Sequence, residues 1–128
     1  MLIIRRQQIE IFEAANFAQF EQEMLEHLRR ELPAHYSGLG EAATREAIRY
    51  GIQKARTYGI RTHYGVKAYL KLLFVFGRDF DADPTLEWAG RVLNDPAVED
   101  EAGRVVLLVN AALSYAQALT GLGVPAEV

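Results

Sequence analysis

Between Val66 and Phe76, apolar side chains stand at Val66, Tyr69, Leu70, Leu72, Leu73, Phe74, Val75 and Phe76, and only Lys67 and Lys71 are strongly polar. A helix that is apolar almost all round belongs in the centre of a domain. The pattern predicts such a helix over about His63 to Phe76, opened by Thr62 as N-cap and ended by Gly77. Upstream, Phe17, Phe20, Met24 and Leu28 recur on one face of a helix from about Arg5 to Glu31. Glu10, Glu13, Glu21, Glu23 and Glu26 supply its solvated side. Pro33 stops that helix, because it lacks an N–H and disfavours helical geometry before it. "HYSGLG" (His35 to Gly40) reads as a turn. Ala47, Ile48, Gly51, Ile52 and Ala55 then form one arc of a helix from about Glu41 to Tyr58. A glycine inside a helix costs ~1 kcal/mol against alanine, so another helix is expected to approach closely at Gly51.

The breaks between these helices carry their own signals. Gly59 suits a left-handed stop, with Ile60 folding back onto the last turn. Asp-Pro occurs at Asp83-Pro84 and again at Asp95-Pro96, a pairing that starts helices with aspartate as N-cap and proline at the first helical position. It predicts a helix over "PTLEWAGRVL" and a last helix from about Pro96 to Thr120, broken near Gly103 and ended by Gly121, with Leu122 packing back. Val105, Leu108, Val109, Ala112, Leu113, Ala116 and Leu119 give that helix its apolar face and make it the second buried helix of the domain. "MLII" at the start offers a short edge strand with nothing to pair against. The expected fold is all-α: a compact, bundle-like single domain of five helices over residues 1–122, with 123–128 as a frayed tail.

Candidate chemistry adds little to this frame. Asp79, Asp81 and Asp83 mimic the first three ligands of a calcium loop, but Pro84 stands where the loop needs glycine and Gly90 where it needs a bidentate glutamate. The plainer reading is a loop in which Phe80 drops into the core between exposed acids and Asp83 caps the next helix. His27 shares a helix face with Glu23 and Glu31, yet no Glu-x-x-His occurs, so it reads as a surface residue with charge partners. His35 falls in the turn and His63 in the first turn of a helix. Neither Ser37 nor Ser114 stands in a G-x-S-x-G, and there is no phosphate-cradling glycine motif. Cysteine is absent, which removes thiolate chemistry and disulfides. Asn110, Ser114 and Gln117 form a polar stripe that lines a pocket or marks a solvent edge. No catalytic residue, metal site or cofactor is expected, and the protein is not expected to be an enzyme.

Charge shifts attention to partners. The net charge of −3 argues against nucleic acid. Yet Arg45 to Arg78 holds eight Lys/Arg and one acid, whereas Asp79 to Gly103 holds eight Asp/Glu and one base. Such polarity can orient a protein partner or a second copy, so self-association stays open. Arg45, Arg49 and Arg56 share a helix face, and tyrosines are interleaved with the bases. Arginine and tyrosine often carry interface energy. These three arginines, with Lys67 and Lys71, are the expected partner-binding residues. "MLIIRRQQ" lacks the order of a secretory signal, and Val105 to Leu119 falls short of the ~20 residues of a membrane span. A cytoplasmic protein is expected, with no membrane partner.

The stretch "RYGIQKARTYGIRTHYGVKAYLKLLFVFGRDFDADPTLEWA" (Arg49 to Ala89) resembles a family of small all-helical bacterial proteins associated with type VI secretion spike and effector proteins. The likeness rests on "RYGIQKARTYGI", the apolar helix ending "LLFVFG", then "DFDADP" and Trp88, and runs over most of the chain. It implies a non-enzymatic adaptor or accessory protein that bridges a secretion spike and an effector and leaves the cell with such a complex. It carries over no active residue and no contact residue. An immunity or regulatory protein that occludes a toxin is the first alternative, and a small-molecule binder using the Asn110/Ser114/Gln117 stripe the second.

Overall fold

The computed structural model describes residues 14–121, with side chains from 16 to 119. The expected helix start at Arg5, the "MLII" strand, the packing of Leu122 and the tail over 123–128 lie outside the described residues. Among those described there are six α-helices and no strand. They are α1 (Ala14–Glu31), α2 (Pro33–Leu39), α3 (Glu41–Thr57), α4 (His63–Phe76), α5 (Glu87–Leu93) and α6 (Glu101–Gly121). A single 3-10 turn, Phe80–Ala82, joins α4 to α5. The fold is all-α, with one helix more than the five expected.

The extra helix is α2, where a turn was expected. Pro33 does end α1, but it also occupies the first position of α2, where its missing N–H costs nothing. Gly40 closes α2 at φ +83°, donating its N–H to the Tyr36 carbonyl. The Asp-Pro signals also sit earlier than the helices they announce. Asp83 accepts from the N–H and hydroxyl of Thr85, and Asp95 from the N–H of Ala97, so each builds a turn. Helix α5 begins at Glu87 and α6 at Glu101, where Asp100 accepts the Gly103 N–H as cap. Gly103 therefore lies in the first turn of α6 and breaks nothing.

Helix α4 is central as expected. It packs against α3, α6 and the 3-10 turn, and buries Val66, Tyr69, Leu70, Leu73 and Phe74. Gly51 of α3 faces it: a methyl there would overlap Leu70 Cδ2 and stand 3.0 Å from Leu73 Cδ1. At the other end of α3, Ile60 donates to the Ala55 carbonyl and Gly59 to the Arg56 carbonyl, with Gly59 at φ +78° and Ile60 fully buried. Thr62 then caps α4 by accepting the Gly65 N–H at 3.0 Å.

Helix α6 is not the buried helix expected from its composition. Val105, Leu108 and Ala112 enter the core, but Val106, Leu107 and Leu113 are about half exposed, Leu113 at 57%. By length and composition Glu101–Leu119 could cross a membrane, the single such helix among the described residues. One face of it packs along α4 and α5.

Candidate functional site

The five expected partner-binding residues lie in three different settings. Arg45 and Arg49 converge on Glu21 of α1, which is buried. Arg49 donates from Nε and Nη2 to the two Glu21 oxygens at 2.7 and 3.0 Å, and Arg45 from Nη1 at 2.9 Å. Arg45 also reaches Gln22 and Glu41. The Arg49 hydrogen bonds, ahead of those from Arg45, hold the Glu21 carboxyl below the usual carboxylate range despite its burial. Glu21 therefore leaves the solvated side expected of it and becomes the tie between α1 and α3. Two arginines four residues apart tolerate each other because one carboxylate lies between them. Arg56 sits exposed in the last turn of α3, away from this tie.

The aspartate of the 3-10 turn also turns inward. Phe80 is buried as expected, but so is Asp81, at 4% exposure. Its Oδ2 accepts from the Tyr58 hydroxyl at 2.6 Å and pairs with Lys54 Nζ at 2.7 Å. Burial opposes its ionisation; Lys54 and Tyr58 outweigh burial and keep the carboxyl below its ordinary range. Burial first, then Asp81, pushes the Tyr58 hydroxyl up. Asp79 accepts from the Tyr50 hydroxyl, and Asp83 is occupied with Thr85. The triplet thus points to three separate partners. Among the described residues no three His, Asp or Glu side chains are placed to hold a metal ion.

Lys67 and Lys71 have a different setting. They project from α4 into a cleft of about 530 Å³ lined also by Glu23 of α1 and Val109 of α6. Ala68, Leu72 and Val109 supply its apolar wall, and Tyr64, 56% exposed, stands at its rim. His63 Nε2 lies 3.1 Å from Glu23 Oε2, and the Phe20 ring meets the imidazole edge-on. Glu23 is thereby engaged, and among the described residues neither lysine has an ion-pair partner. His27, expected on the surface with charge partners, is half-buried with its Nε2 unpartnered. Burial, then the charges of Lys67 and Lys71, lower its pKa, so the neutral imidazole is favoured beside the lysines. Asn110, Ser114 and Gln117 face solvent on α6 and line none of the described clefts.

The structure thus separates a tie (Arg45, Arg49), an ion pair on a buried carboxylate (Lys54, Asp81) and a cationic cleft (Lys67, Lys71). The lysine pair was legible in the sequence; Glu21 and Asp81 as the fates of neighbouring bases were not. Comparison with family models, with curated proteins and with solved structures finds no match to this chain.

Proposed function

We propose that this protein is a non-enzymatic adaptor that binds another protein, and that its contact surface is the cleft between α1, α4 and α6. The observation that carries this is the pair Lys67 and Lys71, one turn apart, without an ion-pair partner among the described residues, above an apolar wall of Leu72 and Val109. Cations beside an apolar groove suit an acidic amphipathic helix, whose carboxylates meet the lysines while its apolar face fills the groove. The arginine end of the surface contributes less, because Arg45 and Arg49 already serve Glu21. The resemblance of Arg49 to Ala89 to type VI secretion accessory proteins makes a spike or effector protein the partner of choice.

A photoreactive residue in place of Tyr64, exposed in a native lysate, labels the partner covalently for identification by mass spectrometry. The labelled protein is then purified and its affinity measured directly. Lys67→Glu with Lys71→Glu is expected to weaken binding by at least about tenfold, most of it in a lost salt dependence of the on-rate. Arg56→Glu is expected to change it little. Unchanged affinity in the double lysine variant removes the cleft as the contact. Rescue of cells from the partner's toxicity on co-expression would instead favour the immunity reading.

A further inference from the structure

On its solvent side α6 presents a long uncharged surface. From Val105 to Gly121 the chain carries no charged residue. The outward-facing positions include Val106, Leu107, Asn110, Leu113, Ser114 and Gln117, all exposed. By contrast, α1 faces solvent with Gln22, Glu26, Arg29 and Arg30.

We infer that this face pairs with the same face of a second copy, with Asn110 on the twofold axis. Four of these positions lie symmetrically about Asn110: Leu107 and Leu113 three residues to either side, Val106 and Ser114 four. An isologous contact requires that residue i meet residue j and j meet i. A twofold at Asn110 with the helices crossing antiparallel places Leu107 against Leu113 of the other copy, Val106 against Ser114, and the two amides against each other. A carboxamide is both donor and acceptor, so the Asn110 pair satisfies itself. Six half-exposed side chains per copy remove on the order of 1,000 Å² in total, the lower limit for a specific interface. An uncharged face has no sign with which to select a charged partner, and it opposes its own copy by none. A membrane surface suits it less: no Lys or Arg follows Arg104 on α6 to meet headgroups, and Asn110, Ser114 and Gln117 run down its exposed middle.

The contact is separate from the lysine cleft and is tested on the isolated protein. Sedimentation equilibrium at micromolar concentrations is expected to give twice the chain mass of 14.4 kDa. Leu113→Glu and Leu107→Glu, both at exposed positions, are each expected to return the monomer with an unchanged circular dichroism spectrum. The chain has no cysteine, so Asn110→Cys provides a single thiol. With oxidised glutathione it is expected to yield a disulfide-linked dimer, whereas Gln53→Cys on the exposed side of α3 does not. A wild-type monomer up to about 100 µM overturns the inference. So does a dimer that survives both glutamate variants without an Asn110→Cys cross-link, since another face then holds it. Monomer that co-floats with neutral or anionic lipid vesicles, and fails to do so as Leu113→Glu, replaces the second copy with a membrane.

Discussion

Gly51 and Gly38 are both helical glycines, and a methyl group separates their roles. At Gly51 it would run into Leu70, which is fully buried, and crowd Leu73. At Gly38 it would meet nothing within 4 Å. Helix propensity favours alanine by ~1 kcal/mol at either position. Overpacking costs about 1–3 kcal/mol, which outweighs that gain at Gly51 only. Gly51→Ala is therefore expected to lower Tm and Gly38→Ala to raise it by a few degrees, read by thermal denaturation. The role of Gly51 was legible because its arc of apolar neighbours announced a helix contact. That of Glu21 was half legible. Phe17, Met24 and Leu25 surround it at helical spacing, so the apolar arc already enclosed it, but nothing in α1 showed that Arg45 and Arg49 would arrive from α3. Asp81 gave no such signal, because a three-residue turn has no periodicity to read.

Helix ends were more legible as places than as partners. Thr62 was recognisable as the cap of α4, yet its hydroxyl also donates to Glu101, the first residue of α6. The same carboxylate accepts the N–H groups of Arg61 and Thr62 at 3.0 and 3.1 Å. Glu101 thereby anchors α6 to the start of α4, and Gly65 is small because this carboxylate lies where a Cβ would point. Gly65→Ala and Glu101→Ala are each expected to destabilise the fold, and the double variant by less than their sum. A double-mutant cycle in urea checks this, with a coupling of about 0.5–3 kcal/mol expected for residues in contact. The same cross-helix logic explains the misplaced starts of α5 and α6. Asp-Pro fixes a local turn, and where the next helix begins depends on what Asp100 and Glu101 can reach. Helix α6 itself looked buried because it lacks charge; composition without contrast between faces does not say which side meets solvent.

Across the whole molecule the fold brings the basic and acidic segments together. The polarity that suggested an oriented surface is largely consumed within the domain: Lys54 pairs with Asp81, the hydroxyls of Tyr50 and Tyr58 reach Asp79 and Asp81, and Arg104 donates to the Tyr58 carbonyl. What remains outward is local, chiefly Lys67 and Lys71. This arrangement sets the pH dependence of stability. Glu21 and Asp81 have folded-state pKa values below their ordinary 4.5 and 3.8. The folded state binds fewer protons there than the unfolded chain, so their stabilisation is complete above about pH 5 and is lost as pH falls through the depressed values. Lys54 is raised, by Asp81 before all else, and the Tyr58 and Tyr69 hydroxyls are raised by burial. Their contributions are complete below the ordinary values near 10 and are lost as pH rises above them. Stability is expected to form a plateau between about pH 5 and 9 and to fall on both sides. Asp81→Asn is expected to lower the plateau and flatten the acid limb, because it removes one of the depressed carboxyls, the buried one that Lys54 and Tyr58 hold ionised, and leaves Lys54 unpaired. Guanidinium denaturation from pH 2 to 11 measures both limbs. An acid limb of unchanged slope in Asp81→Asn would show that the buried pair contributes nothing to the proton linkage.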